Sequence, residues 1–216
     1  MKQTADTEYM KSTARGFVKT ALTAVLALLW CIVGPVCPAA EQIEVLRVVC
    51  DENYPPYIFR DAKGQLKGIL VDHWQLWQQQ TGIKVDLQAF PWAETIHRME
   101  NGEFHVIDTL FHNEDRAAKY EFLKPYATID VPLFFAKDLS GISSAKDAVG
   151  FAVGAKSGDN VIQILKEAGV ETIVEFPSYE KLVEAAKNGT IKVFSVDRPP
   201  ALYYLNKFDI IDRFRE

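Results

Sequence analysis

From position 45 onward the apolar residues switch repeatedly between short β-branched runs and helical spacing, the alternation expected of α/β layers. Residues 45–50, with Val45, Leu46, Val48 and Val49 around a single Arg47, predict a strand stopped by Asp51, Glu52 and the pair Pro55 and Pro56. Residues 57–69 predict a hairpin-like excursion about a turn at 61–64. Leu70, His73, Trp74 and Trp77 then recur at helical spacing as far as the stop at Thr81 and Gly82. Strands are predicted at 84–89, 104–110 and 131–136, with a short helix at 92–99 ended by Asn101 and Gly102. The polar stretch 137–144 predicts a crossing into a second unit, where the cycle restarts: strand 151–155, helix 160–167, strand 172–176, helix 179–187 and strand 192–196. Pro199 and Pro200 open a last helical turn through Leu205. No internal repeat or low-complexity segment interrupts this order.

The first 40 residues depart from the pattern and read as an export segment. Lys11, Arg15 and Lys19 precede an apolar stretch at 21–33, and the small pair Ala39 and Ala40 precedes Glu41. Cleavage is expected after Ala40, with an uncleaved N-terminal membrane anchor as the second reading. Cys31 and Cys37 would leave with the peptide, so no intramolecular disulfide is expected in the remainder, and Cys50 is expected as a small hydrophobe in a buried strand. The chain carries 24 Lys/Arg against 29 Asp/Glu, a net charge of -5. Four of those cations and two of those acids lie in the first 40 residues, leaving -7 on the rest. That balance argues against nucleic acid or an anionic membrane surface as a partner of the folded part.

Seven short blocks in order carry a family likeness. They are the strand from Leu46 to Asp51, Tyr54 with Pro55, Pro56 and Tyr57, the loop from Gly64 to Gly68, the stretch from Gly102 to Ile107, the corner Glu114, Asp115 and Arg116, the stretch from Phe122 to Tyr126, and Val196 with Asp197. The order resembles the family 3 extracellular solute-binding proteins of bacteria. The run from Asp108 to Arg116 and the run from Tyr126 to Pro132 look most like the versions used as periplasmic input domains of membrane sensors. The resemblance implies an α/β fold of two lobes, the type II periplasmic binding protein fold, C-terminally truncated. It implies an export segment at 1–40, lobe 1 at 41–136, lobe 2 at 137–197, and the start of a return to lobe 1 at 198–216. It further implies a periplasmic domain that captures an amino acid or similar small carboxylate between the lobes, for transport or signalling. The partner would then be an ABC transporter permease or a membrane signalling protein, and no cofactor is implied.

Each candidate residue takes a physical task from that resemblance. Arg116 would meet a ligand carboxylate with its fork of donors, or else form a surface ion pair with Glu114 or Asp115. Asp197 would accept from a ligand ammonium, or else cap the helix opened by Pro199 and Pro200. Ser157, Gly158 and Asp159 precede a helix and offer an anion site, of which Ser157 is the best contact and Asp159 a plausible helix cap that would repel the anion. Tyr54, Tyr57 and Trp92 would wall the ligand, or else belong to the core. Asp51 lies at the cleft edge, to meet an amine or cap the loop, and Asp108, Thr109 and Phe111 line the adjoining segment. Phe111 stands where amino-acid receptors often carry a small hydroxyl residue, and His105 and Lys192 where an Asp is common.

Other chemistries find little footing. His97, His105 and His112 sit on different elements without metal-ligand spacing, no Gly-x-Ser-x-Gly elbow is present, and Gly154 to Ser157 lacks the upstream glycine of a phosphate loop. The alternative is an enzyme on the same scaffold, a dehydratase-like lyase of a cyclic carboxylic acid, for which Asp108 is the candidate acid.

Overall fold

The computed structural model describes residues 43–142 and 144–216, so the export segment expected at 1–40 lies outside the described residues. The first part runs β1 (Val45–Asp51), β2 (Asn53–Tyr54), β3 (Ile58–Arg60), β4 (Leu66–Lys67), α1 (Ile69–Thr81), β5 (Lys84–Phe90), α2 (Trp92–Glu100), β6 (Val106–Ile107) and α3 (Glu114–Ala117). The second runs β7 (Leu133–Ala136), a 3-10 turn at Ala145–Ala148, β8 (Ala152–Lys156), α4 (Val161–Glu167), β9 (Thr172–Phe176), α5 (Tyr179–Lys187), β10 (Val193–Ser195), α6 (Arg198–Lys207), a 3-10 turn at Ile211–Arg213 and β11 (Phe214–Arg215).

Two α/β lobes result, each built on its own sheet. The first sheet is wholly parallel, in the order β5-β1-β6, with the small antiparallel sheet β2-β3-β4 beside it. Central β1 has neighbours on both sides, so Val48, Val49 and Cys50 lie fully buried, Cys50 as a small hydrophobe. The second sheet has the order β11-β7-β10-β8-β9, in which β8, β9 and β10 are parallel and β7 runs against both its neighbours.

Local chemistry sets the helix limits. α1 ends at Gly82, whose φ of 74° lets its amide turn back to the Gln78 carbonyl. α5 begins at Ser178, whose hydroxyl accepts the Lys181 amide at 3.2 Å, and its buried residues Leu182, Val183 and Ala186 form one face on the core. α6 starts with prolines in its first turn, where a missing N–H costs nothing.

Three boundaries differ from the sequence reading. The strand expected at 104–110 shortens to β6, because the His105 ring takes the Arg47 amide and Thr109 turns the chain away with a φ of 64°. The strand expected at 131–136, placed at the end of lobe 1, shortens to β7 and pairs with β10 in the second sheet. Residues 198–216, expected to begin a return to lobe 1, instead pack α6 against α5 and add β11 to the edge of that same sheet.

Gly68 holds the first lobe's cleft wall in place. Its φ is 123°, and a Cβ there would stand 2.3 Å from the Tyr57 carbonyl oxygen, which accepts the Leu70 amide at 2.9 Å. Gly68→Ala is therefore expected to cost about 2 kcal/mol or more, read as a lower urea midpoint with an unchanged slope. Stability within about 0.5 kcal/mol of the parent would contradict this packing.

Candidate functional site

In both sheets the parallel strands deliver polar residues at their carboxyl ends, the edge where open α/β sheets place ligands. Asp51 is the last residue of β1 and Lys156 the last of β8, while Asp108 follows β6 and Asp197 follows β10. The lobes meet along these ends. Lys156 Nζ donates to Asp51 Oδ2, and the two residues are 1% and 2% exposed. The other Asp51 oxygen accepts the Asn53 amide at 2.9 Å. The lysine ammonium lies 4.2 Å from the centre of the Tyr179 ring and 5.8 Å from that of Trp92, so aromatic faces supply part of the solvation it has lost.

Polar contacts from both lobes continue the seam. The Tyr179 hydroxyl lies 2.9 Å from Asp159 Oδ2 and 3.2 Å from Asp197 Oδ2. Tyr54 stacks on Tyr57 with ring centres 5.4 Å apart and meets Tyr179 at 5.8 Å. The Gly158 carbonyl accepts from Trp92 Nε1 at 3.1 Å and Arg116 Nη2 at 3.4 Å. Asn53 accepts the Glu180 amide and donates to the Tyr204 hydroxyl, and Asn113 donates to Asn160. The bonds of Gly158, Asn53 and Asn113 and the contact of Tyr54 with Tyr179 join one lobe to the other, while Tyr179 meets Asp159 and Asp197 within the second lobe.

Burial governs the titration of the seam. Asp197 is pushed up to about 7, first by loss of water and then by the neighbouring Asp159 carboxylate, against the pull of Tyr54, Tyr179 and Lys156. Asp159 is raised as well, again by burial first, with Lys156 opposing. Arg116 is lowered, because burial penalises its charge more than Asp159 favours it.

The structure brings together Asp51, Tyr54, Trp92, Arg116 and Asp197, five of the residues singled out in the sequence, with Tyr57 stacked behind Tyr54. Asp197 stands at the head of α6, yet its carboxylate makes no cap and turns to Tyr179. Arg116 forms no ion pair with Glu114 or Asp115; its guanidinium bonds the Phe111 and Gly158 carbonyls. The loop 157–159 differs from expectation, since it aims a carbonyl and the Asp159 carboxylate at the seam, and the Ser157 amide is committed to Phe176. Asp108 bonds within its own lobe: Trp74 Nε1, the Tyr126 hydroxyl and the Thr109 amide each donate to it at 2.7 Å. Thr109 donates its hydroxyl to the Asp108 carbonyl.

Sequence reasoning missed Lys156, Tyr179, Asn53 and Asn113. Lys156 had a signal: it continues a strand of buried residues at its carboxyl end, where a charge with no local partner points to a distant one.

The sequence profile described as bacterial extracellular solute-binding proteins, family 3, matches residues 46–189. A probable amino-acid-binding protein of Bacillus subtilis, YxeM, is 23% identical over 172 residues, covering 79% of this chain and 62% of that protein. The chain thus spans about three fifths of the length of the curated relatives it matches. Among solved structures, a histidine kinase sensor domain with similarity to periplasmic binding proteins superposes with a TM-score of 0.75 at 20% identity, covering 82% of this chain and 77% of the other. An ancestral arginine-binding protein bound to arginine gives 0.71 at 24%, covering 80% and 77%. These likenesses establish the two-lobed fold.

The raised Asp197 carboxyl has a definite sign in solution. Folded protein binds more protons than unfolded between the ordinary Asp value near 4 and about 7. Stability from this group is therefore fully present below about 4 and lost as pH rises through about 7. Urea unfolding is expected to show it, with Asp197→Asn flattening the slope and raising stability at pH 8 by on the order of 2 kcal/mol. Equal slopes for parent and variant would contradict the burial of this charge.

Proposed function

The chain belongs to the bacterial extracellular solute-binding proteins, family 3, and from that membership we propose that it is a clamp for an amino acid or similar small carboxylate. The observation that carries this reading is the seam itself: groups of both signs, Arg116 and Lys156 against Asp51, Asp159 and Asp197, converge at the strand ends of two separate lobes. A molecule holding both a carboxylate and an ammonium matches that mixture. Arg116 takes the carboxylate through paired N–H donors, and Asp197 the ammonium, with Tyr54, Tyr57 and Trp92 against the side chain. Contact with both lobes at once is what makes such a ligand favour closure. Phe111 narrows the pocket relative to a small hydroxyl residue and selects among amino acids.

The family is described as extracellular, and a periplasmic site of action, reached by export of the N-terminal segment, agrees with it. Transport and sensing both use such a clamp. The blocks from Asp108 to Pro132 favour a membrane signalling protein as partner, and a transporter permease is the other candidate. The enzyme alternative has no observation in its favour, because Asp108, its candidate acid, is committed to Trp74, Tyr126 and Thr109.

A thermal melt of the full chain against a panel of amino acids and small carboxylates tests the reading. A ligand at about 100 times its Kd stabilises by about 2.7 kcal/mol, a rise of roughly 5–10 °C in Tm for a chain this size. Arg116→Ala is expected to weaken binding about 100-fold or more while the free protein still melts cooperatively. A panel that moves nothing, or an Arg116→Ala variant that binds like the parent, would contradict the assignment.

A further inference from the structure

We propose that Lys156 is a tethered occupant of an amine subsite at Asp51, beside Asp197, so that the clamp closes on its own side chain. The inference rests on the preceding reading of the cleft and concerns its regulation. Lys156 comes from the second lobe, and its ammonium ends on a carboxylate of the first, Asp51, between the faces of Tyr179 and Trp92. A carboxylate and aromatic faces around one cation are what a soluble amine would need for recognition. Asp159 and Asp197 lie close enough for the same ammonium to favour their charged forms, so Lys156 also offsets the carboxylate excess of the closed seam. Enclosure is nearly complete: Asp51, Lys156, Tyr179 and Asp197 are each 3% exposed or less.

A side chain already attached to one lobe binds the other without losing translational freedom, and so competes at a high effective concentration with any free amine. An amine ligand must therefore displace Lys156, and the clamp's default state is closed. Shortening the residue converts the subsite into a receptor for a small primary amine that replaces the missing atoms.

The test is backbone hydrogen exchange and melting of the full chain, parent against Lys156→Ala, with n-propylammonium as the probe and n-propanol as its neutral control. The free parent is expected to protect the segments 51–57 and 156–160. Lys156→Ala is expected to lose that protection and melt roughly 6–12 °C lower. n-Propylammonium, at concentrations on the order of 10 mM, restores both in Lys156→Ala and changes neither in the parent, and n-propanol restores neither. A lysine that merely fills space would not distinguish the charged probe from the neutral one. A parent as unprotected as the variant overturns the proposal, as does a variant that stays protected. Should Lys156→Ala fail to fold, Asp51→Asn keeps the volume and removes the counter-charge; lost protection across 156–160 supports the proposal, and full protection overturns it. A parent closed when free but moved by no amino acid upholds this inference while sinking the preceding one.

Discussion

An ammonium and a carboxylate meeting out of water, one from each lobe, set the terms for everything around them. Neither Lys156 nor Asp51 could be buried alone without losing several kcal/mol of hydration, so each lobe is acceptable in the closed arrangement only because the other supplies the partner. The surrounding groups follow from the same constraint. Tyr179 brings a ring to the ammonium and a hydroxyl to Asp159 and Asp197, and the Asn53 amide group joins the backbone of α5 to Tyr204. Asp197, buried beside the Asp159 carboxylate, holds its proton more tightly than an ordinary carboxyl.

The scaffold explains why these groups meet at all. Parallel strands point their carboxyl ends the same way, so each sheet presents one edge crowded with loop residues, and two such edges face each other across the seam. Position within that edge is fixed by packing that leaves little choice. Gly68 is there because the Tyr57 backbone leaves no room for a Cβ, and that contact seats the segment carrying Tyr54 and Tyr57.

Much of the fold was legible because its signals are local. β1, β5, α1, α2, α4 and α5 follow from hydrophobic period and from stops such as Gly82 and Asn101, all within one window of sequence. What escaped depended on distant partners. β7 reads as the end of one unit by position, and only its pairing with β10 assigns it to the other sheet. β11 is two residues long and exists through its bonds to β7. The site divides the same way. Arg116 and Asp197 were singled out through the order of short blocks, whereas nothing local singles out Lys156, since its partner lies 105 positions away. Helix ends also misled: the loop 157–159 reads as an anion site, but the Gly158 carbonyl faces Arg116 and Trp92 instead.

A buried charge pair holds the two lobes together, and a double-mutant cycle measures its strength. Urea unfolding of the full chain would compare the parent, Asp51→Asn, Lys156→Met and the combination. Each single change, which strands one buried group, is expected to lose about 3–5 kcal/mol, and the combination to lose less than the sum by about 2 kcal/mol or more. Losses that add to within about 0.5 kcal/mol would mean that the two groups do not interact across the cleft and that the pair does not hold the lobes closed.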